Sequence, residues 1–380
     1  IREILKALSD PAIISFAGGN PSEETFPIDE LGEISAQLYK DRPAAFLQYG
    51  ITEGYMPLRE TIKERMSRKY DIVHQDDEVM IITGGQQGID LCLKALTNEG
   101  DAVIVEDPSY VGALNDFRSY RLRLIGAPSD NDGMDMDAVE EILKNEPDVK
   151  LIYTIPTFQN PTGVTMSLER RKRLVELAEK YNVIVLEDSP YFELRYSGKY
   201  VPCIKSIDTS GHVIFCGSFS KIVAPGLRVG YLIMDKSILP KITVAKQCCD
   251  VHTALYPQML INEYMHRYNL DEHIAYNCEV YRVRRDKMLQ GLDEYMDSRV
   301  SYTRPDGGLF IWCTLPEGYS GFELCQMTTG RKLACVPGSA FDPKEWRDRN
   351  GVRLNFSMPT LEQIAAGTKI LGDCIKDFLK

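Results

Sequence analysis

The tightest constraint on the fold is a series of short apolar runs, most of them rich in β-branched residues and several stopped by turn-forming residues. Val79 to Ile82 stops at Thr83-Gly84-Gly85, Ala102 to Val105 runs into Asp107-Pro108, and Val149 to Ile155 ends at Pro156. Val183 to Leu186, Val213 to Cys216 and Val229 to Ile233 repeat the pattern. Stretches of helical period lie between them: Ile89 to Leu96, with Ile89, Cys92, Leu93 and Leu96 on one face, then Asp137 to Lys144 and Arg170 to Tyr181. Continuously apolar strands alternating with helices predict an α/β fold with a mostly parallel central sheet, covered on both faces. From about Leu270 the rhythm changes. Asp271 to Met296 reads as one long helix, and Gly308 to Thr314 and Val352 to Phe356 read as strands of a smaller α+β domain. The expected division is an N-terminal arm that also joins the small domain (1–44), a large domain (45–275) and a small C-terminal domain (276–380). A chain of 380 residues is long enough for two cores.

Composition narrows the function classes. The formal net charge of -11 argues against a broad nucleic-acid surface, while leaving room for a local basic pocket. Ten cysteines are present, but there is no CxxC pair, no Cys/His cluster with zinc spacing and no HExxH. Reduced core cysteines and no metal are therefore expected. No apolar run reaches membrane-spanning length, and Arg2, Glu3 and Lys6 interrupt any signal-peptide core in Ile1 to Leu8. These features lead to the expectation of a cytoplasmic protein with neither membrane nor nucleic-acid partners.

In open α/β sheets, ligands sit beyond the carboxyl ends of the strands. That rule gathers Gly84-Gly85, Asp107-Pro108, Pro156 to Gly163, Asp188 to Tyr191 and Ser218 to Lys221 along one edge. Lys221 closes a strand-to-loop stretch, where a pocket can depress its pKa and make its amine a nucleophile. Ser218, Ser220 and Arg228 beside it suit a phosphate ester, two hydroxyls and a forked guanidinium being within a few residues. Gly84-Gly85-Gln86-Gln87-Gly88 opens a helix, whose N-terminal amides can take phosphate. Asp188 can be a helix cap, or it can hold a proton on a pyridine nitrogen. Asn160, in Asn160-Pro161-Thr162-Gly163, marks a turn and can also donate to a phenolate oxygen, as can Tyr191. Tyr110 is either a core tyrosine or a stacking partner for an aromatic ring. Arg353 lies inside an apolar strand, between Val352 and Leu354, and needs a partner there; a substrate carboxylate or a structural acid would serve.

These residues resemble those of the fold-type I, class I and II aminotransferases, which use pyridoxal phosphate. The likeness is strongest to the group holding the 2-aminoadipate and kynurenine aminotransferases and the effector domains of MocR-type regulators. It extends from Ser15-Phe16-Ala17-Gly18-Gly19, through Tyr49-Gly50-Ile51-Thr52-Glu53-Gly54, to Pro337-Gly338 and Arg353-Leu354-Asn355-Phe356-Ser357. The resemblance implies that Lys221 carries the cofactor as a Schiff base and that Asp188 pairs with its ring nitrogen. It implies that Asn160 and Tyr191 bind the ring oxygen, that Tyr110 stacks, and that Gly85, Gln86, Ser218, Ser220 and Arg228 cup the phosphate. Arg353, Gly19 and Asn160 would hold the substrate α-carboxylate, and Phe310 would line the substrate pocket. Tyr49 would come from the neighbouring subunit of a homodimer with shared active sites. The implied activity moves an amino group from an L-amino acid to a 2-oxo acid, with 2-oxoglutarate the expected acceptor. A C–S lyase on the same scaffold and a regulator's effector domain are the alternatives. Asn20 replaces a commonly apolar residue and Ser189 replaces an acid, so substrate preference does not carry over with the motifs.

Overall fold

The computed structural model describes residues 12–344 and 347–380; the reading of Ile1 to Leu8 lies outside them. The chain first forms a two-residue strand, β1 (Ile14–Ser15). Eight strands then build the large sheet: β2 (Asp77–Ile82), β3 (Ala102–Asp107), β4 (Arg123–Asp130), β5 (Gly133–Met134), β6 (Val149–Thr154), β7 (Ile184–Asp188), β8 (Val213–Ser218) and β9 (Gly230–Asp235). Their spatial order is β2-β9-β8-β7-β6-β3-β4-β5. The run from β8 to β4 is parallel, as the sequence pattern predicts. β9 is antiparallel to both β8 and β2, and β5 is antiparallel to β4. The reason is connection length: β8 and β9 are joined by residues 219–229 without a crossover helix, which a parallel return requires.

Alternation along β3 shows how both faces are covered. Ala102 and Ile104 pack with Val139 and Leu143 of the helix Met136–Asn145 and with Leu174 and Leu177 of the helix Leu168–Tyr181. Val103 and Val105 join the opposite core with Ile89 and Leu93 of the helix Gly85–Leu96 and with Leu114 and Phe117 of the helix Val111–Ser119. β2 runs antiparallel to β9 and β9 antiparallel to β8, so β2 points the same way as β8. The carboxyl ends of β2, β6, β7 and β8 therefore lie at one edge of the sheet, together with the start of β9.

The C-terminal part adds β10 (Ser301–Tyr302), β11 (Phe310–Thr314), β12 (Leu333–Ala334), β13 (Val336–Pro337) and β14 (Gly351–Asn355). Four of these form an antiparallel sheet in the order β10-β11-β14-β13, while β12 pairs in parallel with β1. The helix Leu270–Tyr295 runs unbroken through the region where the sequence rhythm changes. Phe16 N donates to Ala334 O, and Asn355 N donates to Phe16 O, so the N-terminal strand and the residues after it lie beside β14. Asp107, at the end of β3, is paired with Arg347 and Arg349, and Asp342 binds the same two arginines. Among the described residues no helix is long and apolar enough to cross a membrane.

Candidate active site

A cavity of about 370 Å³ opens where the edge of the large sheet meets β14 and the segment after β1. Gly19, Gly85, Gln86, Tyr110, Asn160, Asp188, Tyr191, Ser218, Ser220, Lys221, Arg228, Phe310 and Arg353 all face it. The tertiary fold thus gathers these candidate site residues on one cavity but leaves Tyr49 outside it. That side chain is 81% exposed, lies edge-on to His252 at 5.9 Å, and does not reach the cavity of its own chain.

On the large-sheet wall, Lys221 follows β8 and directs Nζ at Gly19 O, 2.8 Å away. Burial, reinforced by the charges of Arg228 and Arg353, lowers its pKa to about 8. Asp188 ends β7, where its carboxylate is buried and accepts a hydrogen bond of 2.7 Å from Tyr153 Oη. Burial raises its pKa to about 6, and the tyrosine hydroxyl partly offsets this. Tyr153 was not recognisable beforehand, because in the sequence it is one more apolar position of β6. Tyr191 is also buried, and its phenol is pushed up by desolvation.

The phosphate-type corner is assembled from three strand ends. Gly84 has φ +79°, and a Cβ built on it would lie 2.2 Å from Arg228 Nη2, so glycine is needed for the guanidinium to pass. No side chain caps the helix Gly85–Leu96, whose first-turn amides point toward the cavity end of the sheet. Gln86 turns its side-chain amide to Asp116 Oδ2 (2.5 Å) and receives the Tyr110 hydroxyl at 3.3 Å, so it steadies that aromatic ring. Gly112 leaves room for the same ring: a Cβ there would stand 2.5 Å from Tyr110. Ser220 N donates to Ser218 Oγ (3.1 Å), which orients the serine pair.

The opposite wall is built around Arg353, which is only 7% exposed. Its Nη1 donates to Asn160 Oδ1 (2.9 Å) and its Nη2 to Ala17 O (2.7 Å). The guanidinium lies between two rings, 4.4 Å from the centroid of Phe310 and 5.0 Å from that of Phe341. Its Nε is buried without a hydrogen-bond partner. Among the described residues no acid pairs with it, and burial lowers its pKa to about 10. Gly19 is held against Phe310, whose ring would lie 3.3 Å from an added Cβ. Phe341, absent from the sequence-derived set, sits in the short 3-10 stretch Gly338–Phe341.

This donor set fits pyridoxal phosphate. It offers an amine of depressed pKa for an aldehyde, a buried carboxylate for a ring nitrogen, an uncapped helix start with an arginine for a phosphate, and a buried guanidinium for a carboxylate. The model of the family described as "Aminotransferase class I and II" matches residues 12–368. Aromatic-amino-acid aminotransferase 1 of Thermococcus litoralis is 43% identical over all of this chain and 92% of its own length. The 2-aminoadipate transaminase of Thermus thermophilus is 38% identical over all of this chain and 94% of its own. A solved kynurenine aminotransferase of Pyrococcus horikoshii, in complex with PMP, superposes with a TM-score of 0.96 at 42% identity, covering 100% of this chain and 94% of that one. HTH-type transcriptional regulators match as well; one from Escherichia coli is 30% identical over all of this chain and 80% of the regulator.

Proposed function

Because the chain belongs to the class I and II aminotransferase family and is a pyridoxal phosphate-dependent aminotransferase, we propose that it takes the amino group of aromatic L-amino acids and passes it to 2-oxoglutarate. The observation that carries this reading is the placement of Lys221 and the Arg353 guanidinium on one cavity that, beside its polar groups, presents an aromatic and apolar patch as part of its wall. Ile89, Tyr110, Ile155, Tyr191 and Phe310 form that patch. The names of the Thermococcus and Pyrococcus relatives point to the same donor class.

Bound pyridoxal phosphate supplies an aldehyde that accepts the amino group and a pyridine ring that draws electron density from the substrate's Cα–H bond. In this reading Lys221 Nζ would hold the cofactor and, as a free amine, would take the proton from the substrate Cα. Asp188, steadied by Tyr153, keeps the ring nitrogen protonated. Asn160 has its Oδ1 committed to Arg353, so its NH2 is the end left to join Tyr191 at the ring oxygen. Ser218, Ser220, Arg228 and the amides of Gly85 and Gln86 hold the phosphate, and Tyr110 stacks on the ring. Arg353 takes the α-carboxylate through its forked donors, next to Gly19. The exposed Tyr49 completes the site of a second copy of the chain in a homodimer.

A half-reaction screen tests the assignment. Single L-amino acids are added to the holoenzyme and the visible absorbance of the cofactor is followed. Phenylalanine and tyrosine are expected to convert the cofactor fastest, and 2-oxoglutarate to restore the starting spectrum. Faster conversion by 2-aminoadipate than by any aromatic amino acid overturns the donor class, and failure of 2-oxoglutarate to restore the spectrum overturns the acceptor.

A further inference from the structure

Glu106, on β3, lies outside the cavity lining, and its carboxylate is among the most enclosed acids in the molecule: the residue is 3% exposed. Its Oε1 accepts from Thr154 Oγ1 (2.8 Å), and its Oε2 accepts from Ile155 N (3.2 Å) and Gln159 Nε2 (3.1 Å). All three donors are neutral, and among the described residues no cation pairs with the carboxylate. A buried carboxyl group without a cation is costly to keep. Burial accordingly raises its pKa to about 7, and the three donors only partly counter this.

The partners of Glu106 converge on one turn. Gln159 uses the same Nε2 to reach Pro108 O (2.9 Å), while its Oε1 accepts from both Thr162 N (2.8 Å) and Thr162 Oγ1 (2.7 Å). Its backbone closes the turn, since Gln159 N donates to Val164 O and Gly163 N to Gln159 O. Asn160 sits inside this turn and receives Arg353 on its Oδ1. From the other side, the fully buried Arg171 donates to Pro156 O (2.6 Å), Thr157 Oγ1 (2.9 Å) and Met166 O (3.0 Å). The segment 155–166 is thus clamped between a buried anion and a buried cation that bind its backbone and amides. Ile155, held through its amide by Glu106, itself lines the cavity.

We infer that Glu106 is a positioning residue of the transamination site, acting through Gln159 to set the Asn160 side chain between the ring-oxygen position and Arg353. The inference rests on the role proposed above for Asn160. It predicts that changes at Glu106 are felt at the cofactor and disappear when the Asn160 side chain is gone.

The test uses the holoenzyme and two readouts: the pH midpoint of the cofactor's visible absorbance and the concentration of phenylalanine giving half-maximal conversion. Glu106→Gln keeps the volume but turns an NH2 toward groups that are themselves donors. It is expected to move the midpoint by about one pH unit and to weaken phenylalanine by about tenfold, the scale of one misplaced buried hydrogen bond. Asn160→Ala is expected to shift the midpoint on its own. In that background Glu106→Gln should add less than about twofold, because coupled residues are not additive. Gln159→Leu, which removes the link together with the bonds to Pro108 and Thr162, should move the midpoint in the same direction and serves in its place if Glu106→Gln does not fold. A Glu106→Gln or Gln159→Leu enzyme with an unmoved midpoint overturns the inference, as does the same shift in both backgrounds. An unmoved midpoint in Asn160→Ala instead strikes the role given to Asn160, and the inference falls with it.

Discussion

Lys221 and Arg353 face the same cavity, but the chain delivers them by different routes. Asp188 ends a buried strand of the large sheet, Lys221 and Asn160 follow two others, and Asp188 and Asn160 are anchored within that layer. Asp188 is held by Tyr153 of the adjacent strand, and Asn160 by a turn closed through Gln159. Arg353 is different: it comes from the middle of a strand of the other sheet. Its partners are Ala17, from near the start of the described chain, Asn160, and two aromatic rings. The wall proposed for the cofactor is therefore gathered at the strand ends of one sheet, whereas the wall proposed for the substrate joins that sheet to the N-terminal segment and the other sheet. One wall works by holding groups at fixed strand ends, the other by leaving a cation short of a partner.

The sharpest separation of the two walls is expected from Lys221→Ala. The variant should still bind pyridoxal phosphate through the phosphate corner, yet borohydride should fix no cofactor to the protein and transamination should be lost altogether. Labelling of a different lysine in the native enzyme would remove Lys221 from its role. The same variant examines the shared site. Tyr49→Ala chains have an intact Lys221, and in a mixed dimer they receive a native Tyr49 from the Lys221→Ala chain. Refolding the two together should restore one working site per mixed dimer, provided that Tyr49→Ala alone is clearly impaired. No recovery on mixing would place Tyr49 in its own subunit or outside the site.

Asp188→Asn and Arg353→Lys come next in size and are expected to fail in different ways. Asp188→Asn should lower the maximal half-reaction rate roughly a hundredfold, since a buried charge-assisted bond at the reacting ring is worth about 3 kcal/mol. Its half-saturating amino-acid concentration should hardly move. Arg353→Lys keeps the charge but loses the fork and the flat surface between Phe310 and Phe341. Its loss should appear as weaker amino-acid binding, while the cofactor spectrum stays native. If both variants lost rate and affinity in the same proportion, the division into two walls would be wrong.

The difference in construction also explains what could be read from the sequence. The parallel sheet and the residues that face the cavity from its strand ends were legible because each lies where an apolar run meets a turn. β4 was not, because Gly126 and Pro128 interrupt its pattern; near the sheet's edge, with only the two-residue β5 beyond it, those residues are tolerated. Tyr153 and Glu106 read as ordinary strand residues, since periodicity reports which residues share a face and not what lies opposite them. Arg353 stood out as a charge among apolar neighbours, yet nothing in its own strand indicated Ala17 or Phe341 as its company. Tyr49 could be assigned only through the family likeness, and in the single chain it points to solvent.

The smallest effect tests whether the walls are electrically independent. Lys221 owes its low pKa first to burial and then to the charges of Arg228 and Arg353. The free amine is the form that reacts with an aldehyde, so capture of pyridoxal phosphate by the apoprotein should quicken as the pH rises and level off above about 8. Between pH 7 and 9 the amine fraction rises about tenfold around such a midpoint, whereas an ordinary lysine would show no plateau there. The linkage has the same direction: the folded protein holds fewer protons on Lys221 than the unfolded chain between pH 8 and the usual 10.5. The apoprotein should therefore gain stability as the pH rises through that interval. Arg353→Met removes one of the two cations and releases Asn160 Oδ1, while leaving Lys221, Arg228 and Asp188 in place. The capture midpoint should move upward, and the rate at pH 7 should fall by less than about threefold, because burial remains the larger cause. A midpoint unchanged in Arg353→Met would mean that the substrate wall does not reach the amine electrostatically. A midpoint near 10.5 in the native apoprotein would mean that the cavity does not desolvate Lys221 at all.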